Sequence, residues 1–313
     1  MSVIAAGVAL LLSARREAPG AADVARELAR LADGAEVRFN GGSPAHAALA
    51  WGLLAAGLAV AAMLAGHVLA GVTGLLAGLL SVFLLWHALR WQPSARAWSR
   101  VRWALLEGQV DLAREALADW GARVDGSAGM PDAITQAPGE DGEALTAMQI
   151  ADAAISRAAA DALRTVYSPL FWFALLPGGA GAVLVRVADA VAIRWSEAPE
   201  PAVRETVGRW ALLAREGLEV LPARLVAALI AVCGDTGATA EAWRATPAAP
   251  GRERIAGSAD LVAACALAAI GTATESVGEA CAHAVARLDA AARLQRRVLV
   301  GALLLMLLPA LVS

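Results

Sequence analysis

The chain of 313 residues has no lysine: all 26 basic residues are arginine. A Walker A phosphate loop and a lysine Schiff base, with a carbonyl substrate or with pyridoxal phosphate, are therefore both excluded. Cysteine is scarce as well. Cys233, Cys265 and Cys281 lie in or beside apolar stretches, and only four histidines accompany them, so local spacing builds neither a disulfide framework nor a metal-ligand cluster. His46, His67 and His87 sit on apolar helices without ligand spacing, which reads as packing. Net charge is only −3, which provides no field for a polyanion and gives no sign of nucleic-acid binding. Strand-like alternation and internal repeats are missing too, so chemistry must rest mainly on Asp, Glu, Asn and Arg.

Apolar residues are abundant, at 58% against 18% charged, and the balance argues against a purely cytosolic protein. Phe39 to Leu89 is a run of 51 residues without Asp, Glu, Lys or Arg, bounded by Arg38 and Arg90. Since one crossing takes roughly 20 apolar residues, it reads as a transmembrane hairpin turning near Gly66 and His67. Thr165 to Val185 is also uncharged but holds Pro169, Pro177, Gly178 and Gly179, and so predicts a broken span or a re-entrant segment. Ser2 to Leu12, followed by Arg15 and Arg16, reads as an uncleaved anchor. Val298 to Ser313 reads as a terminal span, while Leu225 to Gly234 and Leu261 to Thr274 are too short to cross alone.

These segments predict an all-α polytopic membrane bundle of about five spans with a layer of amphipathic helices, one integral membrane domain over 1–313. Segment 13–38 holds five Arg and 90–164 holds eight, while the hairpin turn holds none. The positive-inside rule then places 13–45 and 90–164 in the cytoplasm of a bacterial inner membrane, with the bilayer as the first partner. Residues 97–124 show helical amphipathic spacing; 126–143, rich in Gly, Pro, Asp and Glu, predicts a mobile loop; and 144–164 returns to helix.

Several residues are candidates for a site. The turn amides of Asn40, Gly41 and Gly42 suit a phosphate, or form only the turn before a membrane helix. Pro222 predicts the first turn of a helix, with Arg224 placed to hold an anion there, to pair with Glu216 or Glu219, or to reach head groups. Asp189 follows the broken segment, at a depth where a carboxylate calls for a partner or a cavity. Asp260 reads as a first-turn acid or as a ligand, and Arg252 and Arg254 read as a phosphate clamp or as solvated loop residues.

In order along the chain, several motifs resemble the CobD/CbiB cobalamin-biosynthesis membrane proteins and their AmpE relatives. They are Arg38-Phe39-Asn40-Gly41-Gly42; Leu105 to Leu117 with Glu107, Gly108 and Asp111; Ser168-Pro169-Leu170-Phe171-Trp172; Leu221-Pro222-Ala223-Arg224-Leu225; and Ala256-Gly257 with Asp260. For catalytic members the resemblance implies ATP-dependent amide formation between cobyric acid and aminopropanol or its phosphate, with Mg²⁺ holding the nucleotide and a corrinoid intermediate as partner. Asp161, Glu216, Glu219 and Asp260 would supply oxygen ligands, and Arg224 with Arg254 would hold phosphate. The chain departs from the catalytic pattern where the family carries acidic and Asn residues before Pro-Leu-Phe: here stand Ser156, Ala160, Asp161 and Arg164. Arg164 resembles AmpE. The alternative reading is therefore a non-catalytic AmpE-like membrane signalling modulator. A transporter would need polar residues facing one another at midplane, which the uncharged hairpin lacks.

Overall fold

The computed structural model describes residues 2–39, 43–124, 146–246, 257–271 and 280–312. Among these the chain is helical throughout, with no strand. The helices are α1 (Ser2–Arg15), α2 (Ala21–Phe39), α3 (Pro44–Val72), α4 (Gly74–Ala88), α5 (Gln92–Leu106), α6 (Val110–Val124), α7 (Ala147–Ala162), α8 (Ser168–Leu175), α9 (Ala180–Ser196), α10 (Arg209–Cys233), α11 (Thr236–Ala245), α12 (Gly257–Ile270) and α13 (Ala280–Val312). They form two compact units. The first comprises Met1–Arg90, Arg164–Pro222 and Leu303–Ser313, and the second Trp91–Leu163 and Ala223–Ala302.

In the first unit α3 packs on α9, flanked by α2 and α4, and α1 lies on α4. α3 turns small residues inward: Ala47, Ala50, Ala55, Ala59 and Gly66 are buried, whereas Leu53, Leu64 and Val68 are 51%, 55% and 66% exposed. A water-soluble helix does the reverse, because large aliphatic side chains contribute most when they leave water. α3 is the one described helix long and apolar enough to cross a bilayer alone, and a second candidate arises only if α4 is counted together with the helix after it. By length and composition, one or two of the described helices could therefore each cross a bilayer.

The hairpin turns at Thr73, not at Gly66 and His67. Thr73 has extended backbone (φ −153°, ψ 138°) and its hydroxyl accepts from Leu76 N, capping α4. Gly66 remains inside α3 because it serves packing: a Cβ there would come within 3.1 Å of Gly178 Cα.

The broken segment is broken where expected. A π-turn, Leu163–Tyr167, leads into α8, and Pro177–Gly179 makes a tight turn into α9 with Gly178 at φ 65° and Gly179 at φ 80°. Side chains at those φ values are strained, so glycine is required. Proline explains the rest of the geometry. Pro169 has no N–H to offer the carbonyl four residues back, and that oxygen, Thr165 O, accepts instead from Arg90 N at 3.4 Å.

The second unit packs α12 between α7 and α11, with α5 on α6 and both on α7. Its cross-links are ionic. Arg102 on α5 donates twice to Asp289 on α13, at 2.8 and 3.1 Å, and this bond holds the Asp289 carboxyl below its ordinary value. Arg287 on α13 donates to Asp152 on α7 and to Gly271 O beyond α12. The amphipathic stretch 97–124 is helical as expected and forms α5 and α6, separated at Gly108, which takes φ 72°.

Candidate functional site

Each unit contains a buried charged cluster. In the second unit it is centred on Asp161, which is 1% exposed. Its Oδ2 accepts from Ser94 Oγ at 2.7 Å and from Trp120 Nε1 at 2.8 Å, and its Oδ1 lies 3.3 Å from Arg157 Nε one turn earlier. The carboxylate thereby ties α5, α6 and α7 together. Charge-assisted bonds of this kind are among the stronger ones available to a folded chain, and both fall on Oδ2.

In the first unit the cluster spreads over α9, α10 and the π-turn. Asp189 is shared by three guanidiniums: Arg90 at 3.9 Å, Arg186 at 3.6 Å and Arg215 at 3.6 Å. Glu219 Oε1 is shared by Arg164 at 3.5 Å and Arg215 at 3.7 Å. Arg215 bridges the two carboxylates. Arg186 NH1, Glu219 Oε2 and the Ser168 hydroxyl are buried without a hydrogen-bond partner. Buried polar atoms left unbonded are uncommon in folded proteins and mark strain or a site.

α10 brings Arg215 and Glu219 one turn apart on one face. It also overturns the reading of Pro222 as a helix start. Pro222 lies inside α10, which runs on to Cys233, so Arg224 has no free helix N-terminus beside it and the combined anion site built on that end does not exist. An internal proline typically costs about 3 kcal/mol because the carbonyl four residues back loses its donor. Here that carbonyl, Leu218 O, accepts from Trp172 Nε1 of α8 at 2.9 Å, which offsets part of the cost and fixes α8 against α10 beside Glu219.

The remaining candidates among the described residues lie on α10 and α12. Glu216 is 2% exposed on α10, Arg224 is half-buried on the same helix, and Asp260 is half-buried in the first turn of α12, as its reading as a first-turn acid anticipates. Asn40, Gly41, Gly42, Arg254 and the stretch 126–143 lie outside the described residues. Arg186 and Arg215 belong to no motif in the sequence. The signals were that Arg186 is the first charge after the uncharged run and that Arg215 precedes Glu219 by four residues.

ATP with Mg²⁺ would need several oxygen ligands converging on one point. Among the described residues no three of His, Cys, Asp and Glu are grouped so as to hold a metal ion. Asp161 and Glu219, two of the ligands implied by the resemblance, face arginines instead. As paired here, Asp161 and Glu219 do not fit a metal-held nucleotide. No family model, no curated protein and no solved structure matches the chain.

Proposed function

We propose that the chain is a multi-pass protein of the bacterial inner membrane, built on the CobD/CbiB scaffold, that acts as an AmpE-like modulator rather than as an amide ligase. Segments 13–38 and 90–164 face the cytoplasm in this reading, since together they carry thirteen of the 26 arginines. The outward Leu and Val residues of α3 support the membrane assignment, because an apolar face of that length exposed to water favours aggregation, whereas lipid accepts it. One observation carries the functional choice: two of the carboxylates that a ligase would use to hold Mg²⁺, Asp161 and Glu219, are paired with guanidinium groups.

Two measurements test the two parts. Alkaline carbonate should leave the protein in the membrane pellet, and with the native cysteines replaced, Ser127→Cys should react with an impermeant thiol reagent only after the cells are opened. Expression in a strain lacking the cobinamide ligase should fail to restore amidation. Restoration would overturn the modulator reading and establish the ligase, and labelling of intact cells would reverse the orientation.

A further inference from the structure

We infer that the arginine cluster of the first unit binds the headgroup of an anionic phospholipid carrying free hydroxyls, with Arg90, Arg186 and Arg215 on its phosphate. The inference rests on the membrane reading above. Its first basis is charge. Three guanidiniums, those of Arg90, Arg186 and Arg215, share the one carboxylate of Asp189 at 3.6 to 3.9 Å, which is looser than the contact of a bonded guanidinium and carboxylate. Burying a cation without full compensation is costly, so an additional anion is the expected remedy. Arg186 is the clearest case: its side chain is 10% exposed, its single ion pair is to Asp189, and its NH1 makes no hydrogen bond.

The second basis is position. Arg90 is the first charge after the 51-residue uncharged run, and its side chain is 45% exposed, which opens the cluster to the outside. It follows α4, whose Leu75, Leu79 and Phe83 are exposed at 68%, 57% and 48%. An arginine at the end of a lipid-facing helix lies at phosphate depth. The pairing of Arg90 N with Thr165 O anchors the backbone there, so the guanidinium is presented from a fixed point.

The third basis is the acceptor left over. Glu219 Oε2 is buried and unbonded, and it requires a donor, which a bare phosphate diester lacks. A glycerol headgroup supplies hydroxyls. Arg215 reaches both Asp189 and Glu219, so a phosphate beside Asp189 and a hydroxyl at Glu219 lie within the span of one headgroup.

The probe is phosphatidylglycerol, compared with phosphatidylcholine of the same acyl chains, added to the full-length protein in detergent and read by native mass spectrometry and thermal melting. Phosphatidylglycerol should bind preferentially and raise the melting temperature. Arg90→Gln, at a half-exposed position where folding is tolerant, and Arg186→Gln should each weaken its binding about tenfold, the equivalent of one charge-assisted hydrogen bond. Equal binding of the two lipids, or unchanged binding in Arg90→Gln, would overturn the proposal. Inorganic phosphate is a separate arm: if it stabilises the lipid-free protein as strongly and displaces phosphatidylglycerol, the site takes free phosphate and the lipid assignment falls. Carbonate extraction reports on the membrane reading independently.

Discussion

If Asp161 is a structural hub of the second unit, its removal should destabilise that unit, whatever it does to activity. Asp161→Ala deletes the acceptor of Ser94 Oγ and Trp120 Nε1 and the carboxylate opposite Arg157, all within a site where Asp161 and Trp120 are each 1% exposed. Breaking one side of a buried ion pair costs about 3–5 kcal/mol, because the surviving charge is left uncompensated. Trp120→Phe keeps most of the ring and loses one charge-assisted bond, worth about 1.5–3 kcal/mol. For a unit of this size each kcal/mol shifts the melting temperature by about 2–4 °C, so Asp161→Ala should melt on the order of 10 °C early and Trp120→Phe about half as much. The two changes share a partner. The double variant should therefore lose less than the sum of the single losses, by about 0.5–3 kcal/mol. Thermal and urea unfolding of detergent-purified protein, followed by tryptophan fluorescence and circular dichroism, would measure all three. A stable Asp161→Ala protein, or losses that add in the double variant, would refute the structural role and return Asp161 to the list of candidate ligands.

Two further outcomes follow from single contacts. Trp172→Phe removes the donor that completes Leu218 O behind Pro222, so stability should fall by about 1–2 kcal/mol. Combining it with Pro222→Ala, which restores the helical N–H, should recover most of that loss, and additive losses in urea unfolding would show that the proline and the indole are unrelated. Asp289, held below its ordinary value by Arg102, contributes stability that is complete above the unfolded carboxyl value near 4 and is lost as pH falls through the lower folded value. Both side chains are more than a third exposed, so screening limits the contribution to less than about 1 kcal/mol, and Asp289→Asn should lower the melting temperature at pH 7 by that much at most, leave it unchanged at the acid end, and so flatten the acid limb of the profile.

Charge distribution made the helical class and the break between α8 and α9 legible, because runs without charge and a Pro-Gly-Gly turn act locally. What it could not reveal was the use of residues whose partners lie far along the chain. Gly66 looks like a turn residue until Gly178 is seen to approach it. Pro222 looks like a helix start until Trp172 is found bonded to Leu218 O, 46 positions away in sequence. Asp161 looks like a ligand until Ser94 and Trp120 close on it from 67 and 41 residues away. The same blindness hid Arg186 and Arg215, since their significance comes from sharing Asp189 and no motif contains all three.

The prolines show how the first unit makes a charged interior tolerable. Pro169 and Pro222 each release one carbonyl from its helix, and each released oxygen is taken up by a different element: Thr165 O by the Arg90 backbone and Leu218 O by the Trp172 indole. Both acceptors adjoin the charged network, since Arg164 precedes Thr165 and Glu219 follows Leu218. Had those carbonyls stayed in their ladders, neither Arg90 nor α8 would be fixed against the cluster, and guanidiniums on long flexible stems would lose side-chain entropy to meet the carboxylates unaided. Hydrogen bonds accepted by the proline-freed oxygens therefore fix the Arg90 backbone and α8 beside the cluster. That is the arrangement expected of a site that must hold several like charges close together before an anion arrives, rather than one assembled around the anion.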